Sequence, residues 1–220
     1  MKTFVAGARD SRLSQVQFQE VQDLLKVHHP HVTLVPHFVK TIGDIDQQTS
    51  LRNLGNTDFF TREIDDMLLK GDCRIAIHSA KDLPSPLPKG IALVALTVGV
   101  DPADSLVLRQ GESFDALPAG SVIATSSVRR EATVAAIRPD FRFIDLRGTI
   151  EKRLEKLQSG GADGVVVAEA ALIRLGLTHL NRIRLPGNTT EGQGRLAILA
   201  REGDLEMAHL FSCLHGPQKP

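Results

Sequence analysis

Three hydroxyl side chains and two arginines crowd into Thr125-Ser126-Ser127-Val128-Arg129-Arg130. Hydroxyls and free backbone N–H groups at a helix start, with guanidinium forks beside them, make a receptor for carboxylate or phosphate. The same residues also suit a helix simply capped by Ser126 or Ser127 with its arginines in solvent. Related polar sets stand at Arg9-Asp10-Ser11, at His78-Ser79-Ala80-Lys81-Asp82 and at Arg147-Gly148-Thr149, with Arg153 a turn further on. Asp82 is the odd one, a lone carboxylate beside Lys81 after an apolar run. There it can hydrogen-bond a ligand N–H or stabilise a developing cation, effects that a low-dielectric cleft strengthens. Its alternatives are a salt bridge or a turn cap before Pro84. Arginines outnumber acids at these places, which points to a polyanionic small molecule.

The elements that must position these residues alternate along the chain. Thr3 to Ala8, Val32 to Lys40, Arg74 to His78, Ile91 to Thr97, Ser121 to Ala124, Phe141 to Leu146, Gly164 to Ala168 and Arg195 to Ala200 read as strands. Between them lie helical patterns: Leu13, Val16, Val21, Leu24 and Leu25 on one face, then Phe59 to Lys70 closed by Gly71, and Val128 to Ile137 stopping before Pro139. Ile150, Leu154 and Leu157 mark a further helix, another follows Ala168 and closes at Gly176, and Leu205 to Leu214 forms the last. Such alternation implies α/β architecture with mostly parallel sheets covered on both faces. In these sheets ligands bind beyond the carboxyl ends of strands, where all four polar sets fall. Breaks at Val98 to Ala103 and at Pro186 to Thr190 suggest a chain that leaves one lobe, builds a second and returns. The expected lobes are 1–98 with 190–220, and 99–189, with the site in a cleft between them.

Composition removes several classes. The 220 residues carry 26 Lys+Arg against 26 Asp+Glu, 42% hydrophobic and 24% charged residues, so a packed globular core is expected rather than disorder. Zero formal net charge argues against a general nucleic-acid binder, and the lack of Trp and Tyr argues against a base-stacking platform. No apolar run approaches the ~18 residues of a membrane span. The charged start Met1 to Asp10 leaves no room for a signal-peptide core, so a cytoplasmic protein is expected, with Cys73 and Cys213 as free thiols. His28-His29-Pro30-His31 reads as a solvated loop, and Gly192-Gln193-Gly194 is too short for a dinucleotide fingerprint. No metal is expected.

Taken together and in order, these motifs resemble the porphobilinogen deaminase (hydroxymethylbilane synthase) family. The stretches that carry the resemblance are Ala8-Arg9-Asp10-Ser11, Thr41-Ile42-Gly43-Asp44, Ala76 to Pro84, Ala124 to Arg130, Leu146 to Thr149, Arg174-Leu175-Gly176 and Glu191-Gly192-Gln193-Gly194. The resemblance implies two lobes like those of type II periplasmic binding proteins, each with a mostly parallel five-stranded sheet flanked by helices. It implies condensation of four porphobilinogen units into hydroxymethylbilane with release of ammonia, on a dipyrromethane primer, by a monomer with no nucleic-acid or membrane partner. Asp82 matches the family's catalytic aspartate. Arg9, Ser11, Asp44, Ser79, Lys81, Thr125, Ser126, Ser127, Arg129, Arg130, Arg147, Gly148 and Arg153 match positions that hold primer and substrate.

Three departures accompany the match. The family continues into a third domain that bears the primer's cysteine; that domain is expected to be absent here, leaving Cys213 as the one substitute attachment point. A loop that reads Gly-Gly-Lys-Gly in the family reads Gly55-Asn56-Thr57-Asp58, and the family's asparagine after Arg147-Gly148 is Thr149. A non-catalytic binder of tetrapyrroles or other polycarboxylates is therefore the alternative function.

Overall fold

A computed structural model describes residues 1–50, 52 and 57–216. Gly55 and Asn56, singled out above, lie outside the described residues. In chain order the elements are β1 (Lys2–Arg9), α1 (Arg12–His28), β2 (Val32–Val39), α2 (Ile42–Ile45), α3 (Arg62–Lys70), β3 (Ile75–Ser79), β4 (Ile91–Leu96) and β5 (Asp104–Leu108). There follow β6 (Val122–Ala124), α4 (Val128–Ile137), β7 (Arg142–Ile144), α5 (Ile150–Gln158), β8 (Gly164–Ala168), α6 (Glu169–Arg174), β9 (Arg182–Arg184), β10 (Leu196–Arg201) and α7 (Leu205–Phe211).

The chain divides into two compact units: Met1–Ile45 with Asn56–Val100 and Glu191–Pro220, and Asp46–Gly55 with Asp101–Thr190. The stretch Asp46 to Ser50, with Arg52, groups with the second unit. Long-range hydrogen bonds draw it there. Arg147 Nη2 donates to the Asp46 carbonyl at 2.5 Å, and Arg52 Nη2 donates to the Thr125 carbonyl at 3.1 Å.

The first unit's sheet has the order β2-β1-β3-β10-β4. β1 pairs in parallel with β2 and β3, while β10 runs antiparallel to both β3 and β4, so four of the five strands point the same way. Period-two alternation splits its side chains between two cores. Ala6, Ile75, Ile77 and Ile198 pack with Phe18, Val21 and Leu25 of α1 and with Met207 and Phe211 of α7. Ala76 and Leu199 face Ile64 and Leu68 of α3 on the other side. Gly7 makes that second layer possible, since a Cβ there would sit 3.0 Å from both Cys73 Sγ and Ile64 Cγ2. α3 ends where expected, at Gly71 with φ +87°, a backbone state that glycine adopts without strain.

The second unit's sheet has the order β7-β6-β8-β5-β9, with β6 parallel to β7 and β8, and β5 antiparallel to β8 and β9. Again four strands agree and one opposes. Leu106, Ile123 and Val166 pack with Val134 and Phe141 on one face; Val107, Val165 and Val167 pack with Leu157 and Leu172 on the other. Two of its strands, β5 and β9, were not expected. The strand read at Phe141 to Leu146 is shorter, leaving Asp145 and Leu146 in the loop beyond it. Cys73 and Cys213 are both free. Among the described residues no helix is long and apolar enough to cross a membrane.

Candidate functional site

In each unit the polar sets sit at the carboxyl ends of the parallel strands, and each unit's set is built by itself. In the first, Arg9 closes β1. Its Nε and a terminal nitrogen grip the Asp44 carboxylate, and its guanidinium lies 4.6 Å from the centre of the Phe60 ring. Asp44 also accepts from Thr41 N at 3.0 Å and Thr41 Oγ1 at 2.9 Å. Burial by itself would raise the Asp44 pKa, but Arg9 and Thr41 together outweigh it and hold the carboxyl below its usual range. Ser11 is the N-cap of α1 and accepts from Ser14 N at 3.2 Å, a local structural duty.

The exit of β3 carries the other residues of this unit. Ser79 Oγ accepts from Gln17 Nε2 at 2.9 Å, and Lys81 Nζ reaches Gln193 Oε1 at 3.4 Å. Asp82 ends a turn of 3-10 helix over Ala80–Asp82 and is half-buried. Among the described residues its carboxylate has neither a hydrogen bond nor an ion pair.

In the second unit the Thr125-to-Arg130 corner forms the expected strand-to-helix start. Ser127 is the N-cap of α4 and accepts from Arg130 N at 3.4 Å; Thr125 Oγ1 accepts from Ser127 N at 3.2 Å. Ser126 Oγ bonds the backbone of Leu146, accepting from its N–H at 2.9 Å and donating to its carbonyl. Ser126 therefore ties the exits of β6 and β7 together. Arg129 and Arg130 are not in solvent: both grip Asp104. Gly148 has φ +92°, and its carbonyl accepts from Arg153 Nε at 2.9 Å. Thr149, in the place of the family's asparagine, caps α5 by accepting from Lys152 N at 3.5 Å. Asp58 spends its carboxylate on Arg62, at 2.7 and 2.9 Å, while Thr57 is exposed.

Burial pushes the Cys73 thiol up to about 11. Cys213, packed against the first unit's core and donating to the Leu210 carbonyl at 3.4 Å, is also pushed up by burial.

Comparison with known proteins decides the family. Residues 4–209 match the family model described as porphobilinogen deaminase, dipyromethane cofactor binding domain. The chain belongs to the porphobilinogen deaminase family. It is 39% identical over 219 residues to the porphobilinogen deaminase of Desulforudis audaxviator, covering 98% of this chain and 71% of that protein. It is 39% identical over 223 residues to the porphobilinogen deaminase of Streptococcus sanguinis, covering 97% and 72%. In fold it is similar to the methionine-binding protein MetQ, with a TM-score of 0.58, 13% identity and coverage of 96% and 88%. A periplasmic substrate-binding protein of an ABC transporter from Coxiella burnetii gives 0.58, 13%, 99% and 93%. Those two likenesses speak to the fold alone.

Sequence reasoning on this deaminase-family chain missed three residues that shape the exits, Asp104, Arg52 and Gln17, and gave Gln193 no role beyond its place in a matching motif. Asp104 holds two arginines. Arg52 donates to Thr125 O and lies 2.7 Å from Glu131 Oε2. Gln17 and Gln193 steady Ser79 and Lys81. Of the three missed residues, Gln17 left a trace in the sequence, as a polar side chain on the buried stripe of α1.

Proposed function

We propose that this chain condenses porphobilinogen units into a linear tetrapyrrole with release of ammonia, in tetrapyrrole biosynthesis, and that Asp82 is its catalytic carboxylate. One observation carries the reading: Asp82 is half-buried at the β3 exit and unpaired among the described residues, whereas Arg9, Arg129 and Arg130 at the other exits are each held by an acid. An unpaired carboxylate shielded from bulk water is available to a ligand's N–H.

Porphobilinogen carries an acetate and a propionate on neighbouring ring carbons and an aminomethyl group next to the ring nitrogen. Arg9 and Lys81 of one unit, and Arg129, Arg130, Arg147 and Arg153 of the other, are the groups that bind such acids. Ser79, Thr125, Ser126, Ser127 and Gly148 shape the strand exits, and Asp44 keeps Arg9 in place. Departure of ammonia breaks the C–N bond and leaves a cation shared between the methylene and the ring nitrogen. Asp82, set at that N–H, stabilises the charge where it develops. A new C–C bond then joins the methylene to the α-carbon of the acceptor ring, and Asp82 receives the proton that the α-carbon releases.

Dipyrromethane, when bound, supplies the first acceptor ring. The residues present fit it: it bears two carboxylates on each ring, the donors are guanidinium and ammonium groups, and the buried Arg129 Nε–H lacks an acceptor in the protein. Burial pushes both thiols up, away from the thiolate form that covalent attachment uses. In this reading the guanidinium and ammonium groups hold the primer's carboxylates by ion pairs, and Cys213 does not anchor it.

The deciding experiment is porphobilinogen consumption by the purified chain and by Asp82→Ala, with melting temperature as the control for folding. The variant should fold normally and lose about 10² or more in rate, the scale of one charge-stabilising group. Retention of the full rate removes Asp82 from the mechanism. Intact-mass spectrometry should find no pyrrole adduct that disappears in Cys213→Ser. The proposal extends to a cytoplasmic monomer without metal, so dialysis against a chelator should leave the rate unchanged and sedimentation should give one chain. The departures from the family pattern at Thr57, Asp58 and Thr149 favour a second reading, binding of polycarboxylated pyrroles without turnover. A chain that binds porphobilinogen and never consumes it would establish that reading.

A further inference from the structure

The corner that carries Thr125 to Arg130 is completed by a carboxylate that no motif announces. Asp104 opens β5, opposite Ala168 at the carboxyl end of β8, and is 2% exposed. Arg129 Nη2 donates to its Oδ2 at 2.6 Å; Arg130 Nε donates to its Oδ1 at 2.9 Å, with Arg130 Nη2 2.7 Å from the same oxygen. Arg129 Nη1 is tied to the Asn188 carbonyl at 2.9 Å, while its Nε is buried without an acceptor.

Successive residues of a helix point about 100° apart, so neighbouring arginines in a first turn diverge unless something turns them together. Two cations also repel each other and the positive end of the helix. A single buried carboxylate answers both problems, because its two oxygens fix two guanidiniums a carboxylate's width apart.

We propose that Asp104 is a positioning residue for acid binding: it aligns Arg129 and Arg130 so that together they engage carboxylates on neighbouring positions of one ring. This rests on the functional reading above for the identity of the ring, porphobilinogen. Arg130, only 8% exposed, is fixed from its Nε edge, and Arg129 is fixed from both terminal nitrogens. The pair therefore needs little reorganisation when an acid arrives. The carboxylate also leaves the corner with one net positive charge from its two arginines, enough to attract an acid without trapping it.

The sign of one substitution separates positioning from simple charge balance. Asp104→Asn keeps the shape and removes the negative charge. Were Asp104 only a counter-ion, the corner would become more positive and bind diacids more tightly. As a positioning residue its loss lets the guanidiniums separate, and binding weakens. The probe is pyrrole-3,4-dicarboxylate, which carries two neighbouring acids and no leaving group, titrated calorimetrically into the whole chain. Asp104→Asn should raise its Kd about tenfold, in line with losing one charged hydrogen bond's alignment. KM for porphobilinogen should rise by a similar factor, with a smaller change in kcat. An unchanged or lower Kd overturns the proposal.

Should Asp104→Asn fail to fold, Arg129→Lys serves instead. It keeps the charge but lacks the fork that bridges Asp104 and Asn188, and a Kd about fivefold higher is expected. An unchanged Kd in that variant overturns the proposal equally. Because the diacid reports binding without turnover, a wild-type chain that binds it and leaves porphobilinogen untouched defeats the enzymatic reading alone. A wild-type chain that does not bind the diacid defeats both.

Discussion

The exits of β3 and β8 occupy equivalent places in the two sheets. Each strand follows a parallel neighbour reached through a helix, each lies beside its sheet's one opposing strand, and each runs straight into a helical turn carrying an acid. The fates of the acids differ. Glu169, beyond β8, is 3% exposed, accepts from Ser105 Oγ at 2.5 Å, and is gripped by Arg182 Nη2 at 2.7 Å and Nε at 3.0 Å. Asp82, beyond β3, is half-buried with no partner among the described residues. One backbone device thus serves as a structural clasp in one unit and an open functional group in the other. What separates them is the strand beyond the opposing one: β9 brings Arg182 to Glu169, while β4 in the first sheet is Ile-Ala-Leu-Val-Ala-Leu and carries no cation.

That contrast is broken or sharpened most strongly by exchanging activity for stability at the two positions. Asp82→Ala should remove about 10² or more of the rate and leave the melting temperature within a few degrees. Glu169→Gln should do the reverse. It leaves the Arg182 guanidinium without its carboxylate, and since that side chain is 21% exposed, the loss is about 2 kcal/mol, or roughly 4–8 °C in a chain of this size. Calorimetric melting of both variants beside a porphobilinogen assay makes the comparison, and a Glu169→Gln chain with native stability would dissolve the distinction.

Acid titration gives a smaller effect at the same clasp. The hydrogen bond from Arg182 foremost, against the opposing effect of burial and with help from Ser105, holds Glu169 below the usual glutamate range. The folded state therefore binds this proton more weakly than the unfolded chain. The clasp's stabilisation is complete above the unfolded value of about 4.3 and is lost as pH falls through the lower folded value. Denaturant midpoints measured from pH 6 downward should show an acid decline that is shallower in Glu169→Gln than in the parent chain. Parallel declines would mean the clasp does not titrate in this window.

How much of this was legible follows from how far each signal reaches along the chain. The Asp82 turn, the Ser127 cap and the Gly71 stop are written in adjacent residues, and they appear where adjacent residues place them. β5 was missed because Asp104 to Leu108 follows directly on the Asp101-Pro102 break, and a five-residue run there is too short to separate from the crossing itself. β9 has three residues, two of them arginines, so its strand state comes from pairing with β5 and not from its own composition. The partners of the site residues lie farther away still. Asp104 is 25 and 26 positions from the arginines it holds, and Arg52 is 73 from the carbonyl it reaches. No local pattern encodes such meetings; tertiary packing creates them.

The smallest expected effect tests whether the two serine caps are as alike in function as they are in form. Ser11 and Ser127 each follow a central parallel strand and accept from the amide three residues on. Replacing either with alanine should cost about 1 kcal/mol of stability. Beyond that the corners diverge. The Ser127 cap bonds the amide of Arg130, whose side chain shares Asp104 with Arg129, so its loss frees the first turn that carries both guanidiniums. The Ser11 cap bonds Ser14, whereas Arg9 is fixed from the strand side by Asp44 and Phe60 and does not depend on the helix. Ser127→Ala should therefore raise KM for porphobilinogen about twofold to threefold, in keeping with a weakened cap rather than a lost ion pair. Ser11→Ala should leave KM unchanged. Equal KM values in both variants, at equal loss of stability, would show that the guanidiniums keep their places without the cap and that Asp104 alone sets them.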